Sequence, residues 1–136
     1  LPRERQTARV LRAMESPHLS ILAHPTGRKI GRREPSELDM ERVLEAARER
    51  GCVLELNAQP ARLDLDDVHC RMAKEMGVRV AISTDAHRAA ELDLMRFGVD
   101  QARRGWLERD DVVNTRPLEE LMALLRRPAP SGRPAR

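Results

Sequence analysis

The sequence VRVAISTDAH, residues 78–87, joins a run of apolar residues directly to an aspartate and a histidine. Residues 19–25, LSILAHP, and residues 52–58, CVLELNA, have the same form. Short apolar runs that end in polar or turn residues are typical of buried strands. The sequence therefore predicts three strands, at residues 19–23, 52–56 and 78–83.

Amphipathic helices alternate with these strands. Apolar residues recur at helical spacing in five segments, and Ser36 is the predicted cap of the second helix, which Gly51 ends. The predicted helices lie at about residues 3–14, 36–51, 65–76, 91–104 and 117–125. Strands that alternate with helices of about this length favour βαβ units and a parallel sheet or barrel. Because three strands do not close a barrel, we expect an α/β fold that is part of a larger barrel.

The composition argues against several classes of protein. Phe97 and Trp106 are the only aromatic residues, which argues against nucleic-acid modules that stack bases on aromatic side chains. The net charge of +3 is too small to imply a polyanionic partner by itself. No stretch approaches the roughly 18–20 apolar residues that span a bilayer, so no membrane partner is expected. Cys52 and Cys70 show no pairing pattern, which favours a reduced, cytoplasmic protein.

Polar side chains follow all three predicted strands. His24 follows the first, Asn57 the second, and Asp85 and His87 the third. Active sites of parallel α/β folds assemble at the carboxyl ends of the strands. If strand geometry persists, Asp85 and His87 point to the same side and reach one ion. Imidazole and carboxylate groups together suit zinc, manganese or iron. Each residue alone is more often a surface or structural group, so the prediction rests on their joint position.

Three segments together resemble a known family. LAHPTGRKIGRREP (22–35), LELNAQPARLDL (54–65) and ISTDAH (82–87) are similar to late motifs of the PHP (polymerase and histidinol phosphatase) superfamily. More narrowly, they resemble the PHP domain of bacterial family X DNA polymerases. The resemblance predicts that residues 1–126 are the C-terminal portion of a PHP domain. Residues 127–136 are predicted to be a disordered basic tail.

The resemblance implies a distorted barrel of seven α/β units that holds up to three metal ions. His24, Asp85 and His87 match metal ligands, with Asp85 and His87 also catalytic, and Mn²⁺ is the expected cation, with Zn²⁺ or iron as alternatives. The implied activity is a 3′→5′ exonuclease or phosphoesterase acting on DNA ends in repair, beside a polymerase module. The family's early motifs, which include an HxH pair, are absent, so this chain is expected to lack the N-terminal part of the barrel and to belong to a longer protein.

Three residues are predicted to contact the phosphate of a substrate. Arg28 and Arg62 lie in loops after the first two strands, and a guanidinium can bind phosphate through two hydrogen bonds. Asn57 is a predicted donor in the pocket. The alternatives are a surface charge for Arg28, an ion pair with a nearby aspartate for Arg62, and a turn cap for Asn57.

Two further residues and the overall activity leave alternatives open. Glu55 either points into the barrel interior beside the metals or pairs with an arginine, and His69 is expected to face solvent from a helix. A small-molecule phosphatase of the histidinol-phosphate type would use the same metal ligands. A non-catalytic scaffold or DNA-binding segment is the third possibility. The basic loop at residues 28–33 favours the DNA-acting branch, because clustered positive charge suits a nucleic-acid backbone.

Overall fold

A computed structural model describes residues 1–125 of the chain. Helices and strands alternate along this part of the chain, as the sequence predicts. Their bounds are α1 Arg3–Met14, β1 Ile21–Leu22, α2 Met40–Arg50, β2 Val53–Asn57, α3 Asp67–Glu75, β3 Val80–Ser83, α4 Met95–Arg104 and α5 Leu118–Leu125. Short 3₁₀ turns precede α4 and lie between α4 and α5. The predicted basic tail at 127–136 falls outside the described residues.

The three strands form one parallel sheet in the order β1-β2-β3. Leu22 pairs with Leu54, and Asn57 pairs with Ser83, so the carboxyl ends of the strands lie side by side. The predicted α/β class and parallel pairing are therefore confirmed. Among the described residues the sheet is open, and the seven-unit barrel stays a prediction.

The second helix begins later than its sequence predicts. It starts at Met40, where the Asp39 carboxylate accepts a hydrogen bond from the first turn, so the predicted cap at Ser36 is wrong. The backbone N–H of Ser36 instead donates to the Thr26 carbonyl at 2.7 Å, which holds residues 26–36 as a loop. The predicted end of the helix at Gly51 is confirmed, with φ of 70°.

The two faces of the sheet have different surroundings. Leu54, Leu56, Val80 and Ile82 lie on one face in the main core, which α2, α3 and α4 complete. On the opposite face Val53 and Ala81 lie in a second, smaller cluster. Its other members are Val113, Leu121 and Leu124. Because successive residues of a strand point to opposite faces, Glu55, Asn57 and Ser83 share this second face, nearer the carboxyl ends.

Helix α4 lies unusually close to the sheet at Gly98. A Cβ at this position would be 2.5 Å from Cγ2 of Ile82 and 2.9 Å from Cβ of Ala58. Glycine lowers helix propensity, and here it permits the contact between the helix and the sheet. Beyond α4, the side-chain amide of Asn114 bonds both the N–H and the C=O of Ile82 at 2.8 Å and so covers part of the free edge of β3.

Cys52 and Cys70 are both buried. Burial raises the pKa of the Cys70 thiol to about 12, so this sulfur is held protonated in the core. None of the helices formed by residues 1–125 has the length and apolar character required to cross a membrane.

Candidate functional site at the carboxyl ends of the strands

The residues predicted to carry chemistry meet at one edge of the sheet. His24 lies just beyond β1, Asn57 is the last residue of β2, and Asp85 lies just beyond β3. The parallel pairing of the strands brings these ends together. This edge is where parallel α/β folds place their active sites.

Glu55 links the ends of the two outer strands. Its Oε2 atom accepts a hydrogen bond of 2.6 Å from the backbone N–H of His24, and its Oε1 atom accepts one from the Ser83 hydroxyl. The sequence left the direction of this side chain open between the barrel interior and an arginine partner. The structure places Glu55 on the second face of the sheet, which we call the polar face because Asn57 and Ser83 share it. Its two carboxylate oxygens accept hydrogen bonds from the segments that flank β2 in the sheet.

Asn57 holds the carboxylate of Asp85. The Asn57 side chain is 1% exposed, and its Nδ2 donates to Oδ2 of Asp85 at 3.2 Å. Its Oδ1 accepts from the backbone N–H of Gln59 at 3.0 Å, as in the turn cap that the sequence offered as an alternative. Both polar atoms of the Asn57 amide are therefore bonded to other residues of the chain, Asp85 and Gln59.

Gln59 fixes the turn that carries Asp85. Its Nε2 donates to the carbonyl oxygen of Thr84 at 2.7 Å and to that of Asp85 at 3.3 Å. Sequence reasoning missed this residue. Its position, four residues after Glu55 and two after Asn57, was the available signal.

The segment after β3 does not continue as a strand. Asp85 has φ of 51°, in the left-handed region, and β3 ends at Ser83, so the strand geometry on which the alternation of Asp85 and His87 depended does not persist. The Nδ1 atom of His87 instead lies 2.7 Å from the carbonyl oxygen of Asp85. The His87 backbone N–H donates to the Glu91 carboxylate at 2.7 Å. Their assignment as metal ligands stays a prediction.

The arginines of the two loops have different surroundings. The Arg28 guanidinium donates to the carbonyl oxygens of Arg62, at 2.8 Å, and Leu63. Arg28 therefore joins the loop after β1 to the loop after β2. The Nη1 atom of Arg62 is buried and has no hydrogen-bond partner among the described residues. A buried hydrogen-bond donor without an acceptor is rare, because the donor gives up its hydrogen bonds to water and gains none from the protein.

A buried aspartate, missed as a site residue in the sequence, holds the loop after β1 in place. Asp64 is fully buried, and its carboxylate accepts hydrogen bonds from the backbone N–H groups of Thr26 and Gly27 at about 3 Å. Burial raises the pKa of Asp64, while those two N–H groups act in the opposite direction. The peptide bond between Asp64 and Leu65 is cis.

The chain is similar to one polymerase and to several phosphatases. It is 49% identical, over 115 residues, to the DNA polymerase/3′-5′ exonuclease PolX of Bacillus subtilis. It is 38% identical over 107 residues to a protein of Caldanaerobacter subterraneus named as a probable phosphatase. It is 30% identical over 118 residues to another so named from Thermoanaerobacter pseudethanolicus. The same chain is thus similar to a polymerase with exonuclease activity in its name and to proteins named as phosphatases, as the three motifs predict. The predicted resemblance to the PHP domain of family X DNA polymerases is thereby confirmed.

The PHP segment is short beside these relatives. The matches cover 85%, 74% and 82% of the chain, but only 20% of PolX and 38% and 46% of the two phosphatases. No family model matches the chain. The chain therefore spans less than half the length of each relative.

PHP phosphoesterases use divalent metals, and part of the donor set for such an ion is present at the strand ends. The imidazoles of His24 and His87 and the carboxylate of Asp85 are of the right chemical type for manganese or zinc. Within residues 1–125, however, no group of three or more His, Cys, Asp or Glu side chains is arranged to hold a metal ion. The described residues therefore do not form a metal site by themselves.

Proposed function

We propose that this chain is the C-terminal part of a metal-dependent phosphoesterase site that removes or trims nucleotides at DNA 3′ ends. The observation that carries the proposal is the meeting of His24, Asn57 and Asp85 at the carboxyl edge of one parallel sheet. The similarity to a polymerase/3′-5′ exonuclease and to phosphatases supports phosphoesterase chemistry. The DNA 3′ end as substrate, and a role in repair, are the finer parts of the proposal.

In this proposal His24, Asp85 and His87 supply part of a ligand set for Mn²⁺, with Zn²⁺ or iron as alternatives. The remaining ligands come from outside the described residues, since these alone do not form a metal site. Asp85 and His87 are the proposed catalytic residues. The Asn57 amide supports this role, because it is bonded to one oxygen of Asp85 and leaves the other without a contact to that amide.

Arg62 is the proposed direct contact to the phosphate of the substrate. Its buried Nη1 atom has no hydrogen-bond partner within residues 1–125, and a phosphate oxygen would supply one. Arg28 acts on the same pocket through the loop, because its guanidinium bonds the carbonyl of Arg62 itself. Asn57 is proposed to serve the phosphate pocket through Asp85, since its side chain is almost fully buried.

The basic loop at residues 28–33 favours DNA over a small phosphate ester. The backbone N–H of Lys29 donates to the Arg33 carbonyl, and that of Ile30 donates to the Ala61 carbonyl. These bonds hold the charges of the loop beside the edge of the sheet. Positive charge fixed beside the site attracts a phosphate backbone. The proposed partners are thus DNA and a polymerase module of the same protein. The proposed location is the reducing cytoplasm, because the two cysteines of the sequence show no pairing pattern.

A small-molecule phosphatase is the second candidate, because two of the similar proteins carry a phosphatase name. It needs the same proposed ligands and differs in substrate only. A non-catalytic, DNA-binding role is the third, and it requires no metal.

A manganese titration of the intact protein tests the proposal. His24→Ala and Asp85→Ala should each weaken Mn²⁺ binding by more than about tenfold and abolish release of nucleotides from a DNA 3′ end, because each removes a ligand. His18→Ala and Asp110→Ala are matched controls, since both residues are exposed and near the opposite ends of the strands. Cleavage of p-nitrophenyl phosphate without DNA cleavage would favour the phosphatase. Equal Mn²⁺ affinity in all four variants would reject the ligand assignment.

A further inference from the structure

Three polar side chains follow each other along β2 and its extension at alternate positions. Glu55 and Asn57 lie in the strand and Gln59 lies two residues beyond it. Their hydrogen-bond partners belong to the neighbouring strand ends: the His24 N–H beyond β1, the Ser83 hydroxyl of β3, and the Thr84 and Asp85 segment beyond β3. The central strand therefore holds both outer ends of the site through its side chains.

The two held residues have strained backbones. His24 has φ of 29° and Asp85 has φ of 51°, in the left-handed region that residues other than glycine rarely adopt. Such conformations persist only where the surrounding structure holds them in place, and they cluster at functional sites. The contact to His24 is made by Glu55, and a contact to the backbone of Asp85 is made by Gln59.

We propose that Glu55 and Gln59 are positioning residues, whose side chains set the backbone of His24 and Asp85 so that both face the proposed metal site. This inference rests on the proposed function for the role of His24 and Asp85. It assigns no metal contact to either residue. Both oxygens of Glu55 already accept hydrogen bonds, and the Nε2 atom of Gln59 already donates to two carbonyls.

The geometry and the charge of Glu55 can be separated by substitution. A carboxylate close to a metal site also attracts cations through its charge, and Glu55→Gln removes that charge while keeping a carbonyl oxygen for the His24 N–H. The amide group of the glutamine can donate to the Ser83 oxygen, because a hydroxyl is also an acceptor. Positioning thus predicts that glutamine restores what alanine loses.

The test uses Glu55→Ala, Glu55→Gln and Gln59→Ala in the intact protein, with two readouts. Glu55→Ala should lose protection of the His24 amide in hydrogen exchange without metal, since that N–H loses its acceptor. Both alanine variants, Glu55→Ala and Gln59→Ala, should weaken Mn²⁺ binding about ten- to a hundredfold, which is the usual effect of removing a group that orients a metal ligand. Glu55→Gln should keep the amide protection and bind Mn²⁺ within about threefold of the parent.

Two controls separate positioning from a general loss of stability. Glu49→Ala removes an exposed glutamate of α2, and Leu54→Ala destabilises the core beside Glu55. Neither should alter Mn²⁺ affinity while the protein is folded. If Glu55→Ala does not fold, Ser83→Ala tests the contact of Glu55 with β3 from its other end, and Gln59→Ala tests the contacts with Thr84 and Asp85 independently.

The outcomes distinguish this inference from the proposed function. Mn²⁺ binding as weak in Glu55→Gln as in Glu55→Ala would overturn positioning in favour of charge or direct ligation. Unchanged His24 exchange in Glu55→Ala would overturn it as well. Unchanged Mn²⁺ affinity in His24→Ala and Asp85→Ala would instead reject the proposed function, while the exchange experiment would still decide whether Glu55 holds the strand end.

Discussion

The two faces of the sheet use the same strands in different ways. On the face of Leu54, Leu56, Val80 and Ile82, four apolar side chains are buried against three helices. On the opposite face, apolar residues occupy only the start of the strands, and polar residues follow toward the carboxyl ends. One face stabilises the fold by burial, while the carboxyl half of the other is organised by hydrogen bonds between side chains and backbone.

This difference shows how a site can be built without weakening the fold. Burying a polar group is costly unless it is bonded, and each polar residue of the second face has named partners. His24 and Asp85, whose backbones have positive φ, lie on the polar side of this arrangement, and Leu63 and Trp106 also have positive φ elsewhere in the described chain. Changes on the two faces should therefore differ in what they affect.

The largest effect on stability is expected from Leu54→Ala on the apolar face. Leu54 is fully buried in the main core, and removing a leucine side chain from such a site costs about 2–5 kcal/mol of unfolding free energy. Urea unfolding measures this loss. The Mn²⁺ affinity of the folded fraction should not change. A large drop in that affinity would show that the two faces are not independent.

A smaller effect on stability is expected from Asp64→Ala, which acts on the polar side. The change leaves the N–H groups of Thr26 and Gly27 without their acceptor and should cost about 1–3 kcal/mol. Because the loop that carries Arg28 would be released, phosphate binding should weaken as well. Equilibrium unfolding and phosphate affinity measure the two effects.

Asp64→Asn is the matched control for this prediction. It keeps one oxygen at the same place and removes the ionised form that burial disfavours. Asparagine should therefore restore most of what alanine loses. If both variants kept the parent's phosphate affinity, the loop would not depend on this anchor.

The strands and their polar ends were predictable because they depend on local patterns. The apolar runs before His24, Asn57 and Asp85 mark strands whatever surrounds them, and the parallel pairing follows from the alternation with helices. The edge of the sheet that carries the site was predictable for the same reason. The motifs also identified the family before any comparison.

The contacts within the site were not predictable, since they depend on residues far apart in the sequence. Glu55 bonds a residue 31 positions before it and another 28 positions after it. The left-handed conformation of Asp85 breaks strand alternation, and nothing in TDAH signals it. Similarly, Asp39 and not Ser36 caps α2, because Ser36 is engaged with the loop of Thr26.

The smallest expected effect concerns His69, which lies in the first turn of α3. The prediction that it faces solvent is wrong, since its side chain is only 28% exposed and its Nδ1 lies 3.0 Å from Oδ1 of Asp66, the cap of α3. Contact with the Asp66 carboxylate raises the pKa of His69 against the effect of burial. Burial alone would raise the pKa of Asp66, but the hydrogen bonds and charge of His69 outweigh burial and lower this pKa.

The sign of the pH dependence follows from these two directions. The contribution of His69 to the free energy of unfolding is fully present below its ordinary pKa of about 6.5. It is lost as pH rises through the higher pKa of the folded protein. That of Asp66 is present above about pH 3.9 and is lost as pH falls through its lower folded value. The pair therefore stabilises α3 most between about pH 4 and pH 6.5.

His69→Gln tests this pair by urea unfolding at pH 5.5 and pH 8.5. The parent should lose up to about 1 kcal/mol more stability than the variant between these two pH values, because a partly exposed ion pair contributes little. The difference between the two pH values cancels any loss of packing that glutamine causes. Mn²⁺ affinity should be the same in both proteins, since α3 begins outside the polar face. Parallel pH profiles would show that His69 is not charged by its contact with Asp66, and the cap of α3 would then act alone.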